Sequence, residues 1–82
     1  MYKQFEEDMY RLRKENVKLT FKVWELIFDI EKTPFSGIGK PEALKGNLSG
    51  FWSRRIDNEH RLIYKIQDDV LELFSCYGHY DD

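Results

Sequence analysis

Six cationic side chains, Lys40, Lys45, Arg54, Arg55, Arg61 and Lys65, fall between residues 40 and 65, where only Glu42, Asp57 and Glu59 oppose them. That stretch carries +3 and the remainder −5, against −2 for the whole chain. A basic segment within an acidic chain is suited to holding phosphate at one place, not to coating nucleic acid, because non-specific affinity grows with the number of phosphates neutralised. Arginine's planar fork matches phosphate oxygens and keeps its charge at any cellular pH. The segment is therefore read as a phosphate-handling site. The plainer reading of Arg55 and Arg61 is two solvated arginines, or one paired with Glu42 or Glu59; for Glu42 it is a loop salt bridge to Lys40 or Lys45.

Other chemistries lack their residues. Cys76 and His79 make half a zinc site, and neither His60 nor the terminal aspartates supply the remaining spacing. Ser49, Ser53 and Cys76 lack a glycine-framed nucleophile turn, and no G-x-x-x-x-G-K-[ST] loop is present. No metal and no cofactor is implied. His60, beside a turn, is read as structural.

The elements that must position these residues can be read from periodicity. Phe5, Met9 and Leu12 recur at the spacing of one helical face, and after Asn16 so do Leu19, Val23, Leu26, Ile27 and Ile30. Thr33 and Pro34 stop the second helix, since a residue before proline is driven out of the helical region. The short break at Asn16 predicts an antiparallel helical hairpin. Beyond Gly50, three segments rich in aromatic and branched residues read as strands: Phe51 to Ile56, Arg61 to Ile66 and Val70 to Tyr77.

Turn lengths then set the register. A three-residue loop at Asp57, Asn58 and Glu59 places Arg55 opposite Arg61, Arg54 opposite Leu62 and Trp52 opposite Tyr64. A two-residue turn at Asp68 and Asp69 places Ile66 opposite Leu71, Tyr64 opposite Leu73, Lys65 opposite Glu72 and Arg61 opposite Cys76. One face of the sheet then carries Trp52, Ile56, Leu62, Tyr64, Ile66, Leu71 and Leu73, ready to bury against the helices. Arg55, Arg61, Lys65 and Glu72 share the other face. Two directly opposed arginines repel unless an anion or carboxylate lies between them.

The motifs GKPEALK, NLSGFWSRRI and EHRLIY and the terminal GHY, in this order and spacing, resemble the YoeB/Txe toxins of the RelE/ParE superfamily from about Asp8 to Tyr80. The resemblance implies an α+β fold, a helical hairpin on one face of a small twisted antiparallel sheet, with the family's first strand shortened to Met1 to Lys3. It also implies the toxin of a type II toxin-antitoxin pair that cuts messenger RNA in the ribosomal A site by metal-independent acid/base attack of the 2'-hydroxyl. Such attack needs a base, cations on the phosphate and an acid for the departing 5'-oxygen. Glu42 matches the general base, Arg55 and Arg61 the phosphate clamp, and His79 and Tyr80 the terminal His-Tyr pair. Histidine can give up a proton near neutral pH, so His79 is read as the acid, with Tyr80 stacking on a base or orienting the phosphate. Lys45 matches a further phosphate contact, and Lys40, Arg54 and Phe51 are secondary contacts for RNA or ribosome.

The implied partners are a cognate antitoxin of the YefM/Axe type, the ribosome and mRNA, and a second copy in a homodimer. Operator DNA would be reached only through the antitoxin. The alternative is a non-catalytic binding module, either ParE-like or an inactive toxin acting through protein partners. Eighty-two residues with 41% hydrophobic and 16% aromatic content allow a single domain with one core. One cysteine, no leader and no long apolar run point to the cytoplasm and away from a membrane.

Overall fold

The computed structural model describes residues 1–78. Helix α1 spans Lys3–Glu15 and α2 spans Val17–Lys32. Asn16 separates them in an extended conformation, and its side chain accepts a hydrogen bond from the Lys18 N–H, capping α2. At the far end of α2 the extended Thr33, followed by Pro34, ends the helix as the sequence requires. Strands β1 (Glu42–Ala43), β2 (Trp52–Arg55), β3 (Arg61–Gln67) and β4 (Val70–Ser75) form one antiparallel sheet in chain order.

The register follows the turn lengths. Trp52 faces Tyr64, Arg54 faces Leu62 and Arg55 faces Arg61 across β2 and β3. Across β3 and β4, Ile66 faces Leu71 and Lys65 faces Glu72. Asp68 and Asp69 both adopt positive φ, 53° and 63°, as a two-residue hairpin turn of the primed type requires. In the other hairpin, Asp57 Oδ1 accepts from the N–H groups of Glu59 and His60, closing the loop locally.

Both helices pack on one face of the sheet. Phe5 and Leu12 from α1 and Val23, Leu26, Ile27 and Ile30 from α2 meet Ile56, Leu62, Tyr64, Leu73 and Cys76 in a single core, with Trp52 partly buried against it. Val17, Phe21, Trp24 and Phe28 lie on the outer side of α2 and stay exposed. Among the described residues one backbone bond, from the Tyr2 N–H to the Leu73 carbonyl, continues the sheet towards the N-terminus. Tyr2 is extended, but α1 has begun by Lys3, so Tyr2 meets β4's edge without forming a strand.

Two expectations are corrected. Glu42, read as a loop residue, lies in β1 and pairs with Ser53. Arg61 does not face Cys76: the ladder shifts between Ile63 and Tyr64, so Ile63 pairs with Ser75, and the Arg61 N–H donates to the Gly78 carbonyl at 2.8 Å. The cause is a bulge at Phe74. In an uninterrupted strand Leu73 and Cys76, three residues apart, would point to opposite faces, whereas here both enter the core.

Candidate active site on the open face

Antiparallel partners share a face, and so do alternate residues along a strand. Glu42 pairs with Ser53, Ser53 stands two residues from Arg55, and Arg55 pairs with Arg61. A carboxylate and two guanidinium groups are thereby assigned to the same side of three adjacent strands, away from the helices. Arg55 and Glu42 are exposed, and Arg61 is half-buried. Among the described residues, none of Glu42, Arg55, Arg61, Lys40 and Lys45 takes part in an ion pair.

Local structure holds each group in place. The Arg55 N–H donates to the Gly39 carbonyl at 2.6 Å and the Leu44 N–H donates to the Phe51 carbonyl at 2.9 Å, tying the segment around Glu42 along β2 on both sides of β1. Arg61 Nη1 donates to the carbonyls of Asp57 at 2.7 Å and His60 at 3.1 Å. This braces one end of the guanidinium against the hairpin loop. Lys45 is exposed at the entry to a short 3-10 turn, Gly46–Leu48, and Lys40 is exposed with a positive φ of 51°.

Phe51 is half-buried in an aromatic cluster with Phe74, at 5.2 Å between ring centroids, and Tyr2, at 6.5 Å. Lys65 Nζ lies 4.9 Å from the Phe51 ring centroid, a cation–π arrangement on the same side of the sheet. His79 and Tyr80 lie outside the described residues. The chain leading to them does not: it ends at Gly78, bonded to Arg61 and to His60.

Arg54 does not belong to this face, which corrects its reading as an RNA contact. Alternation turns it inward, where it is fully buried. Its guanidinium forms an ion pair with Asp29 and donates to the carbonyls of Thr33 at 2.6 Å, Ser36 at 2.8 Å and Ile38 at 3.1 Å, while Nε donates to the Tyr64 hydroxyl at 3.2 Å. No donor remains for a phosphate. The hydrogen bond from Arg54, with another from the Ile38 N–H, holds the Asp29 carboxyl below its ordinary pKa; burial raises that of Tyr64. Buried inside, the charge could persist only with such complete pairing.

Cys76 faces the core, and burial, with a smaller effect of the Asp8 charge, pushes its thiol up to about 12, so it is no thiolate ligand or nucleophile at neutral pH. Among the described residues no cluster of histidine, cysteine and carboxylate side chains could hold a metal ion.

The family model that describes the YoeB-like toxin of bacterial type II toxin-antitoxin systems matches residues 1–80. The chain belongs to the YoeB toxin family. Toxin YoeB of Streptomyces coelicolor is 50% identical over 74 residues, covering 90% of this chain and 88% of that protein. Among solved structures, the YoeB/ParE toxin from Agrobacterium tumefaciens superposes with a TM-score of 0.91 at 37% identity, over 96% of this chain and 94% of that one. Staphylococcus aureus YoeB, solved in complex with YefM and as a dimer, gives TM-scores of 0.86 and 0.87 at 42% and 41% identity, in both cases over 96% of this chain and 92% of the other. The two helices followed by a four-stranded antiparallel sheet are therefore the architecture of this family. Among the described residues, no helix is long and apolar enough to cross a membrane.

Proposed function

We propose that this toxin is a ribosome-dependent endoribonuclease that cuts mRNA without a metal ion. The observation that carries the reading is the shared face of Glu42, Arg55 and Arg61 on three neighbouring strands, free of ion pairs among the described residues. In this reading Glu42 takes the proton of the 2'-hydroxyl and the freed oxygen attacks the adjacent phosphorus. Arg55 and Arg61 bind the non-bridging oxygens as charge builds on them, an electrostatic contribution strongest when the donors are held beforehand. The bond to the 5'-oxygen breaks, His79 protonates that oxygen, and the products are a 2',3'-cyclic phosphate and a 5'-hydroxyl. Tyr80 stacks on a base or orients the phosphate, and Lys45, Lys40 and Phe51 contact flanking RNA or the ribosome.

So small and open a face imposes little order on a flexible RNA. Holding mRNA in the A site would supply the orientation, and orientation can account for several orders of magnitude in rate. That places its action in the cytoplasm. By analogy with the Staphylococcus aureus complex, a YefM-like antitoxin is the proposed inhibitor, and a dimer the proposed assembly. Contact with operator DNA would come through the antitoxin alone.

The test is cleavage of mRNA in a reconstituted translation system, with and without ribosomes. Glu42→Gln and His79→Ala should each slow cleavage by roughly a hundredfold or more, the usual contribution of a general base or acid. Wild-type rates in either variant would sink the assignment. No cleavage by the folded wild-type chain would favour a binding module instead.

A further inference from the structure

The segment just after β4 is fastened at several points. Asp8 on α1, itself buried, accepts from the Cys76 N–H through Oδ2 at 3.0 Å. The Tyr77 hydroxyl donates to Glu15, and Arg11 lies 3.9 Å above the Tyr77 ring. His60 also packs on Tyr77, at 4.4 Å between ring centroids. His60 is 6% exposed, and its Nδ1 accepts from the Gly78 N–H at 2.8 Å. The Gly78 carbonyl in turn accepts from the Arg61 N–H at 2.8 Å.

Gly78 is thus gripped at both its N–H and its carbonyl by two consecutive residues, His60 and Arg61. Its φ of 73° lies in the left-handed region that glycine adopts without a Cβ penalty. These two bonds and the left-handed φ together fix the backbone of Gly78. An Nδ1 that accepts from a backbone N–H carries no proton, which assigns the neutral imidazole with its hydrogen on Nε2.

We propose that His60 is a positioning residue for the C-terminal pair. Its Nδ1 fixes Gly78, the residue immediately before His79 and Tyr80 in sequence, and the Arg61 backbone completes the grip. The role rests on the nuclease reading, in which His79 is the acid, but the grip itself does not. It gives a neutral, buried histidine outside the acid/base set a defined effect on rate: it acts through Gly78 and touches no substrate.

Asparagine carries an amide oxygen where histidine carries Nδ1, whereas leucine fills the same space without an acceptor. Ribosome-dependent cleavage, ribosome affinity and hydrogen exchange of the Gly78 amide are measured for wild type, His60→Asn and His60→Leu. His60→Leu should lower kcat by about a hundredfold, the cost of misplacing a catalytic group by about an ångström, with ribosome affinity unchanged and Gly78 exchange accelerated. His60→Asn should recover most of both. If the leucine variant does not fold, His60→Gln, whose amide lies one bond too far out, takes its place with the same expectation.

Leucine at wild-type kcat, an unchanged Gly78 exchange, or asparagine no better than leucine would each overturn the proposal. A wild-type chain that cleaves nothing would overturn the nuclease reading and the catalytic purpose of the grip. Gly78 exchange, which needs no RNA, tells that result apart from failure of the grip itself.

Discussion

Arg54 and Arg55 are neighbours in sequence with opposite fates, because successive strand residues point to opposite faces. Arg55 is exposed on the face that carries Glu42 and Arg61, whereas Arg54 is a buried hub joining β2 to α2 and to the loop after it. Replacing Arg54 by alanine would remove the partner of the Asp29 carboxylate and of three carbonyls, so Arg54→Ala should lower the urea unfolding midpoint, and a midpoint equal to wild type would contradict its role as a hub. Under strongly stabilising conditions its cleavage per folded molecule should match wild type, unlike that of Arg61→Ala. Cys76 makes a second residue-scale prediction. With its thiol held up at about 12 by burial, it should resist a thiol reagent at pH 8 until denaturant is added. Prompt labelling of the folded chain would contradict its place in the core.

At the scale of elements, the joint between α2 and the sheet depends on Asp29, which binds Arg54 and also accepts from the Ile38 N–H at 3.0 Å. Gly37 sits against this pair with φ of 117°, and a Cβ there would meet Asp29 Oδ2 and lie 3.2 Å from Arg54 Nη1. Gly37→Ala should therefore lower the melting temperature through both strain and the displaced ion pair. The same joint gives a pH dependence. The folded-state pKa of Asp29 lies below its ordinary value of 3.8, mainly through the Arg54 hydrogen bond, so its stabilisation is in place above that value and is lost as pH falls through the folded one. The gap in urea midpoint between wild type and Asp29→Asn should narrow as pH is lowered from 7 to below 3.8. A gap that widened on acidification would contradict this sign.

For the whole molecule, the distribution of charge matters more than its total. The chain is acidic overall, but its +3 segment contributes Arg55, Arg61 and Lys65 to one face of the sheet. Binding to a short single-stranded RNA should be weak and local. If about three phosphates are neutralised, raising salt from 50 to 200 mM should weaken it about twentyfold, from a slope of roughly −0.7 per phosphate on single strands. A titration of labelled RNA at the two salt concentrations checks this, and insensitivity to salt would argue that the basic face does not meet phosphate.

Much of this was legible in the sequence because it follows from local rules: a 3.6-residue stripe for each helix, Asn16 and Pro34 as stops, and turn lengths that count out the register from Arg55 to Lys65. The spaced motifs also sufficed to place the chain in its family. Three matters were decided only by tertiary structure. Alternation put Arg54 on the core face, but only partners distant in sequence, Asp29 at 25 residues' separation among them, make burial of that charge tolerable. Glu42 reads as loop because a two-residue strand carries no periodicity; pairing with Ser53 is what turns it towards the arginines. The bulge at Phe74 breaks the alternation that sequence reading assumes, bringing Cys76 into the core and Gly78 against His60 and Arg61. Local propensity acts on neighbouring residues, whereas a buried charge, a two-residue strand and a bulge are each stabilised by partners that only the folded chain brings near.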